Sequence, residues 1–191
     1  AGAAAPPASV VISELHYKPP NTLVNEWRDD DRGRTCRTDF VRKRGGDLDE
    51  FLELHNPTDR DVDLAGWQLA EGVSFEFAAG AGSVIPAGGY LQLCHQPDEE
   101  DDPEACCSPL GDTCCHRYTG SLSNSGERLT LLDAEANVVE RVRYHAEQPW
   151  PEAPDGYGRS LERIDASLPA GLQSSWLPSQ ADGGTPGAAN S

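Results

Sequence analysis

The sequence lacks long apolar segments and a surplus of basic residues. It contains no uninterrupted apolar run of about 18 residues, the length that a membrane-spanning helix requires. Only 15 Lys and Arg stand against 32 Asp and Glu, so the formal net charge is −17. A field of this sign repels nucleic-acid phosphates. We therefore expect neither a membrane span nor direct binding to nucleic acid.

The sequence also lacks the short motifs of common catalytic sites. It has no GxSxG elbow, HExxH helix, phosphate-binding P-loop or GxGxxG turn. Two of its five histidines, His16 and His55, follow Glu14 and Glu53 two residues on, and a histidine near an acid is a candidate base. The polar face of a solvated sheet gives the same alternation, and we favour that explanation. We predict a protein without intrinsic enzymatic activity.

What the sequence does contain is short stretches in which apolar and polar residues alternate. The clearest is Asp49–Leu69, where Leu52 and Leu54 alternate with polar residues, as in a half-buried strand. Pro57 then interrupts the stretch, because proline has no N–H for a β-ladder. The next strand starts near Trp67. The core residues predicted from this stretch are Leu52, Leu54, Trp67 and Leu69.

Seven or eight such stretches occur without any helical period, which predicts an all-β sandwich of mostly antiparallel strands. Strict alternation in the first strand places Ile12 on the face opposite to Leu15. The segment after residue 164, around Trp176, is expected to be irregular. Besides the stretch described above, the predicted strands cover residues 10–17, 73–77, 90–95, 128–133, 138–144 and 160–164.

The length of 191 residues suits one domain with generous loops. We assign residues 9–191 to that domain and residues 1–8, which are rich in Ala and Pro, to a flexible tail. Such a tail is what a removed signal peptide or a linker from a longer chain would leave. Two charged segments, residues 21–47 and 96–117, carry too few periodic apolar residues to be domains, and we interpret them as loop inserts.

The cysteines are even in number, and most of them cluster in the second insert. Their spacing fits no CxxC site, so disulfides in an oxidising compartment are favoured. Zinc remains the alternative, because two of the cysteines each precede a histidine. The six residues are Cys36, Cys94, Cys106, Cys107, Cys114 and Cys115.

Adjacent cysteines rarely bond to each other, so the pairs at 106–107 and 114–115 should each find partners elsewhere. Cys36 is alone in its insert, and Cys94 stands where the second insert begins. We therefore predict three disulfides, joining Cys36 to one of the 106–115 cluster and Cys94 to another. The two inserts would then form one stapled lobe.

Carboxylates on neighbouring strands or in a dense acidic loop are candidate ligands for calcium, a hard cation that prefers oxygen. The alternative is that the strand carboxylates keep one sheet face wet and that the acidic loop is simply solvated. Calcium is the cofactor that these carboxylates suggest. The candidate ligands are Glu14, Asp49, Glu50, Glu53, Asp98 and Asp101.

Trp27 lies in the first insert, which holds seven of the 15 basic residues. A tryptophan among arginines is typical of protein-binding hot spots. The same residue could instead anchor the insert on the sandwich. Trp27 is therefore the candidate for a partner surface.

An ordered set of motifs resembles the lamin tail domain, an immunoglobulin-like sandwich, in its bacterial form. The matching pieces are ISELHYKP at 12–19, DEFLELHNPTDRDVDLAGWQL at 49–69, VIPAGGYLQL at 84–93, SLSNSGERLTLLD at 121–133, DGYGRSLERI at 155–164 and GGTPGAAN at 183–190. The resemblance implies a non-enzymatic module of exported or surface proteins, in which such domains often adjoin nucleases or phosphoesterases. It does not identify a ligand.

Two functions remain open from the sequence. The first is a secreted or surface-bound interaction or structural module that is steadied by calcium and binds a protein or another cell-surface component. The second is an accessory domain that targets a secreted hydrolase. A catalytic domain beside this one in the full-length protein would favour the second.

Overall fold

The computed structural model describes residues 9–20, 50–80, 82–95 and 116–191. Within these ranges the chain forms β-strands, one short 3-10 helix (Gln173–Ser175) and no α-helix. The described residues contain no helix that is long and apolar enough to cross a membrane. The strands are β1 (Val11–His16), β2 (Phe51–His55), β3 (Val62–Asp63), β4 (Gln68–Ala70), β5 (Phe75–Glu76), β6 (Val84–Ile85), β7 (Tyr90–His95), β8 (His116–Tyr118), β9 (Arg128–Leu132), β10 (Val138–Arg143), β11 (Arg159–Arg163) and β12 (Trp176–Asp182).

Two main sheets form an immunoglobulin-like β-sandwich. The larger sheet has the order β12-β11-β1-β2-β7-β8 and the smaller has the order β10-β9-β4-β5, while β3 and β6 pair separately. All pairings are antiparallel except that of β7 with β8. A bridge between Ser74 and Thr119 joins the chain beside β5 to the chain beside β8, at the free edges of the two sheets. The predicted all-β sandwich is confirmed.

The apolar core lies between these sheets. Leu52 and Leu54 enter it from β2, and Leu69 enters it from β4, as their alternation predicted. Trp67 is different, since it packs against the core but is only partly buried. Its backbone N–H donates to the Leu64 carbonyl in a tight turn, and this turn holds the indole ring at the rim of the core. The prediction of Trp67 as a core residue is thus corrected to a residue at the rim of the core, and the tryptophans buried in the core are Trp150 and Trp176.

A β-bulge in β1 corrects the predicted faces of the first strand. Ser13 is an extra residue, because Ile12 pairs with Leu54 and the next pair is Glu14 with Glu53. The additional residue breaks the period of two. Ile12 and Leu15 consequently both point into the core, although strict alternation had placed them on opposite faces.

Asn56 holds the corner after β2, where the sequence had indicated only the action of Pro57. Its side chain is fully buried. Its Nδ2 donates to the carbonyls of Arg60 at 2.7 Å and of Ile85 and Pro86 at 3.0 Å each. Its Oδ1 accepts from the N–H of Thr58 at 3.0 Å. One side chain thus ties the corner to the β6 region.

Candidate functional site

Three glutamates form a row across the six-stranded sheet, on the face opposite to the core. Glu14 of β1 lies directly opposite Glu53 of β2 on one side and Glu162 of β11 on the other. All three are almost inaccessible to solvent. Glutamate is seldom buried unless it is paired. We call Glu14, Glu53 and Glu162 the carboxylate row.

The last nine residues of the sequence, 183–191, cover this row, and we call them the strap. The N–H of Thr185 donates to Glu14 Oε1 at 2.9 Å, and the N–H of Gly187 donates to Glu53 Oε2 at 2.6 Å. The N–H and the hydroxyl of Ser191 both donate to Glu162 Oε2 at 2.8 Å. Each glutamate therefore binds a backbone N–H of the strap.

Side chains of the sheet complete the environment of the row. The hydroxyl of Ser13, the bulge residue, donates to Glu53 Oε1 at 2.8 Å, and the hydroxyl of Ser160 donates to Glu14 Oε1. Asn190 of the strap donates from Nδ2 to the carbonyl of Ser13 at 3.0 Å. Gly184 lies so close to Glu14 that an added Cβ would overlap its Oε1. Only glycine fits there.

Burial changes the acidity of two members of the row. It raises the pKa of Glu14 to about 7, with a smaller rise from the charge of Glu162, against the opposing hydrogen bonds from Ser160 and Thr185. Burial likewise raises the pKa of Glu53 to about 7, against the hydrogen bonds from Gly187 and Ser13. The ion pairs between described residues all involve other carboxylates. With pKa values of about 7, Glu14 and Glu53 would each hold a proton at mildly acidic pH.

The three candidate calcium ligands that the structure describes, Glu14, Glu50 and Glu53, do not come together as one site. Glu14 and Glu53 are neighbours, but the Glu50 carboxylate accepts hydrogen bonds from the Tyr118 hydroxyl and the Leu122 N–H, both at 2.6 Å. Among the residues that are described, no group of three or more His, Cys, Asp or Glu could hold a metal ion. Glu162, a member of the row, was not among the predicted residues. The candidates that lie outside the described residues are Asp49, Asp98 and Asp101.

The two candidate histidines are far apart in the strand register. His16 pairs with Phe51 at one end of the β1–β2 ladder, and His55 pairs with Val11 at the other. The His55 ring stacks on Tyr90 at 4.4 Å between centroids, and its burial lowers the pKa of the imidazole. The histidines thus occupy separate positions on the sheet.

A buried ion pair connects the two sheets, and the sequence did not predict it. Arg163 Nη1 of β11 lies 2.9 Å from Glu140 Oε1 of β10, and the two side chains are only 4% and 8% exposed. The second oxygen of Glu140 accepts the N–H of Ile12 beside the bulge. The guanidinium also lies 5.5 Å from the ring centroid of Trp176. Burial raises the pKa of Glu140, and the charge of Arg163 opposes that rise.

Only one of the six cysteines belongs to the part of the chain that the structure describes. This residue is Cys94, at the end of β7, and it is disulfide-bonded. The predicted pairing, with Cys36 and Cys94 each joined to the 106–115 cluster, therefore stays a prediction. The cysteines that lie outside the described residues are Cys36, Cys106, Cys107, Cys114 and Cys115.

Trp27 and most of both inserts also lie outside the described residues. The roles given to them, a partner surface and a stapled lobe, likewise stay predictions.

The fold and the carboxylate row together define an immunoglobulin-like β-sandwich module whose sheet face is covered by the strap. The family model for the Lamin Tail Domain matches residues 3–146, so the chain belongs to the lamin tail domain family. This match includes Glu14 and Glu53, whereas Glu162 and the strap lie beyond it.

Among solved structures, the chain is similar to a DUF4876 family protein from Bacteroides thetaiotaomicron VPI-5482. The two share 9% sequence identity, with a TM-score of 0.49 over 92% of this chain and 69% of the other. No curated protein matches the sequence.

Proposed function

We propose that this chain is a non-enzymatic interaction or structural module that works outside the cell, as part of a bacterial exported or surface protein. The observation that carries the proposal is how the buried polar groups are used. Glu14, Glu53 and Glu162 bind the strap, and Glu140 binds Arg163, so these groups face other parts of the same module. Groups used in this way build a scaffold rather than attack a substrate.

The oxidising location is supported by the disulfide at Cys94 and the even number of cysteines. In this proposal the inserts at 21–47 and 96–117 form one lobe at an end of the sandwich, stapled by Cys36 and Cys94 to the 106–115 cluster. The lobe carries Trp27 and is the surface that meets a protein or cell-surface partner. In this proposal calcium binds the acidic run around Asp98 and Asp101 in the lobe, because hydrogen bonds occupy the other described candidates, Glu14, Glu50 and Glu53.

The experiment is a binding assay with envelope fractions of the cells that produce the protein. We expect the folded, oxidised protein to sediment with the envelope, and Trp27→Ala to weaken this at least about tenfold, the loss typical of a binding hot spot. The melting temperature should stay unchanged. A variant that melts lower but binds equally well would make Trp27 an anchor of the insert. Failure of the wild-type protein to bind would contradict the proposal.

An enzymatic control separates the module from a hydrolase. We expect no turnover of nuclease, phosphatase or protease substrates. Turnover that is lost in His16→Gln or His55→Gln would overturn the non-enzymatic proposal. Enhanced activity of a neighbouring hydrolase domain, measured with and without this module in the full-length protein, would instead support the accessory role.

A further inference from the structure

We propose that the strap is a pH-operated closure of the sheet face: it docks while the carboxylate row keeps a proton, and it detaches when all three glutamates are ionised. The strap is residues 183–191, and the row is Glu14, Glu53 and Glu162, as defined above. Two observations support this closure. Backbone N–H groups of the strap donate to all three glutamates. No cation among the described residues forms an ion pair with the row.

The hydroxyl of Thr185 fixes where the proton resides. Its Oγ1 lies 2.9 Å from Glu162 Oε1 and 3.3 Å from Glu14 Oε2. A hydroxyl has a single hydrogen to donate but can also accept. When it donates to Glu162, only a protonated Glu14 can complete the second bond, by donating from Oε2 to Thr185. The docked strap therefore fits one protonated and one ionised glutamate on these neighbouring strands.

Full ionisation removes this fit. Directly opposed residues on neighbouring strands hold their Cβ atoms about 4.5–5.5 Å apart, and like charges at that spacing destabilise a sheet. As more of the three glutamates ionise, the repulsion between them and the free-energy cost of burying their charges both increase, because the docked strap shields this face from water. Detachment of the strap relieves both at once, because water then reaches all three carboxylates. The raised pKa values of Glu14 and Glu53, about 7 each, place this change near neutral pH.

The other titratable groups near the carboxylate row include two histidines and one tyrosine. His16 follows Glu14 by two residues on β1, and His55 follows Glu53 by two on β2. Beyond Glu53 the row continues with the neutral Gln92 of β7, and beyond Glu162 with Leu177 of β12. Tyr90 of β7 stacks on His55, and the burial of its phenol raises its pKa further above 10. The strap sequence GGTPGAANS carries no charged side chain.

Sequence changes can hold the strap in either state. Glu14→Gln places an amide N–H where the protonated carboxyl donates to Thr185, so it imitates the docked form at every pH. Gly184→Ala directs a methyl group into Glu14 and forces the strap away. Gly183→Ala is its matched control, because Gly183 has a similar φ of +82° against +77° but no atom within 4 Å of an added Cβ. Both alanine variants therefore carry comparable backbone strain.

The test is hydrogen exchange of the strap amides at about pH 5.5 and about pH 8.5, with each rate divided by that of an unstructured peptide of the same sequence. We expect this normalised protection of Thr185 and Gly187 to fall at least about tenfold in the wild type, a change of about 1.4 kcal/mol. Protection should stay high at both pH values in Glu14→Gln. It should be low at both in Gly184→Ala, and Gly183→Ala should behave as the wild type.

Three results would overturn the proposal. One is equal wild-type protection at both pH values. Another is an undiminished loss of protection at high pH in the double variant E14Q/E53Q, which carries no ionisable group at either position. This variant also decides the question if E14Q alone does not fold. The third is loss of the pH response in His55→Gln, because the sensor would then be the imidazole. A response preserved in His55→Gln supports the glutamates.

Discussion

At the scale of single residues, Trp176 in the core and Trp67 at its rim should differ in importance. Trp176 is only 1% exposed, and its Nε1 donates to the Ala170 carbonyl at 2.9 Å. Trp176→Ala should therefore lower the free energy of unfolding by about 3–5 kcal/mol, the usual cost of truncating a buried aromatic side chain. Trp67→Ala should cost clearly less, because Trp67 is partly buried. Denaturant unfolding of both variants checks this order, and a reversed order would contradict the placement of Trp67 at the rim.

The ion pair between the sheets provides a second residue-scale test. Glu140→Ala leaves the buried Arg163 without its carboxylate, and breaking a buried pair in this way typically costs about 3–5 kcal/mol. The double variant E140M/R163M removes both charges and should recover much of that loss. Urea titrations of the single and double variants measure the difference. If the double variant is as unstable as Glu140→Ala, the ion pair itself contributes net stability. The loss in the single variant is then more than the cost of leaving Arg163 buried and unpaired.

At the scale of the elements, local alternation predicted most strands of the two main sheets. It could not predict the bulge at Ser13, because an extra residue in a ladder becomes visible only when the partner strand is known. It also missed β12, which was expected to be irregular. The edge strand β12 carries Pro178, Ser179 and Gln180, a polar run without a period of two, and its pairing with β11 makes it a strand.

Deletion of Ser13 tests the bulge directly. Removing Ser13 brings Ile12 and Leu15 two positions apart, so strict alternation then keeps both of them in the core. We expect the deletion variant to fold, with a modest loss of stability because the hydroxyl bonded to Glu53 is gone. Ser13→Gly, which keeps the bulge but loses the same hydroxyl, should lose about as much. Far-ultraviolet circular dichroism and proteolysis check that both variants fold, and a deletion variant that fails to fold would contradict the placement of Ser13 as the extra residue of the ladder.

The carboxylate row shows why the site could be predicted only in part. Glu14 and Glu53 stood out because each lies on an obvious strand, and their proximity was anticipated. Glu162 is far from Glu14 in the sequence, and only the register of β11 brings it alongside. The role of the strap was hidden for a related reason. Backbone N–H groups bind the row, and any sequence with a flexible glycine-rich end offers such donors.

At the scale of the whole molecule, the row predicts how global stability depends on pH. The folded-state pKa of Glu14 and of Glu53 is about 7, above the ordinary value of 4.5. The native state therefore holds more protons than the unfolded state between these values. The resulting stabilisation is complete below about pH 4.5 and is lost as pH rises through about 7. Calorimetry should show a lower melting temperature at about pH 7.5 than at about pH 5, with a smaller difference in E14Q/E53Q.

Calcium offers a second test on the whole molecule. A ligand that binds only the folded state raises its stability. Extracellular calcium sites have dissociation constants of about 0.1–1 mM, so about 10 mM calcium would add roughly 1.4–2.7 kcal/mol. That gain corresponds to a rise of about 3–11 °C in melting temperature for a chain of this size. Equal melting in calcium, magnesium and chelator would remove calcium from the proposed function.

The hydrogen bond from Asn190 to the Ser13 carbonyl brings the end of the strap beside the beginning of β1. The two ends of the sandwich thus meet on a single sheet face. A polypeptide with adjoining ends can be spliced into a surface loop of a larger protein without stretching the host. It can also be circularly permuted, with the old ends joined by a short linker and new ones opened in the β9–β10 turn at residues 133–137. In either arrangement the joint would start at Ser191, beside Glu162, so the strap would be held at both of its ends by a continuous chain.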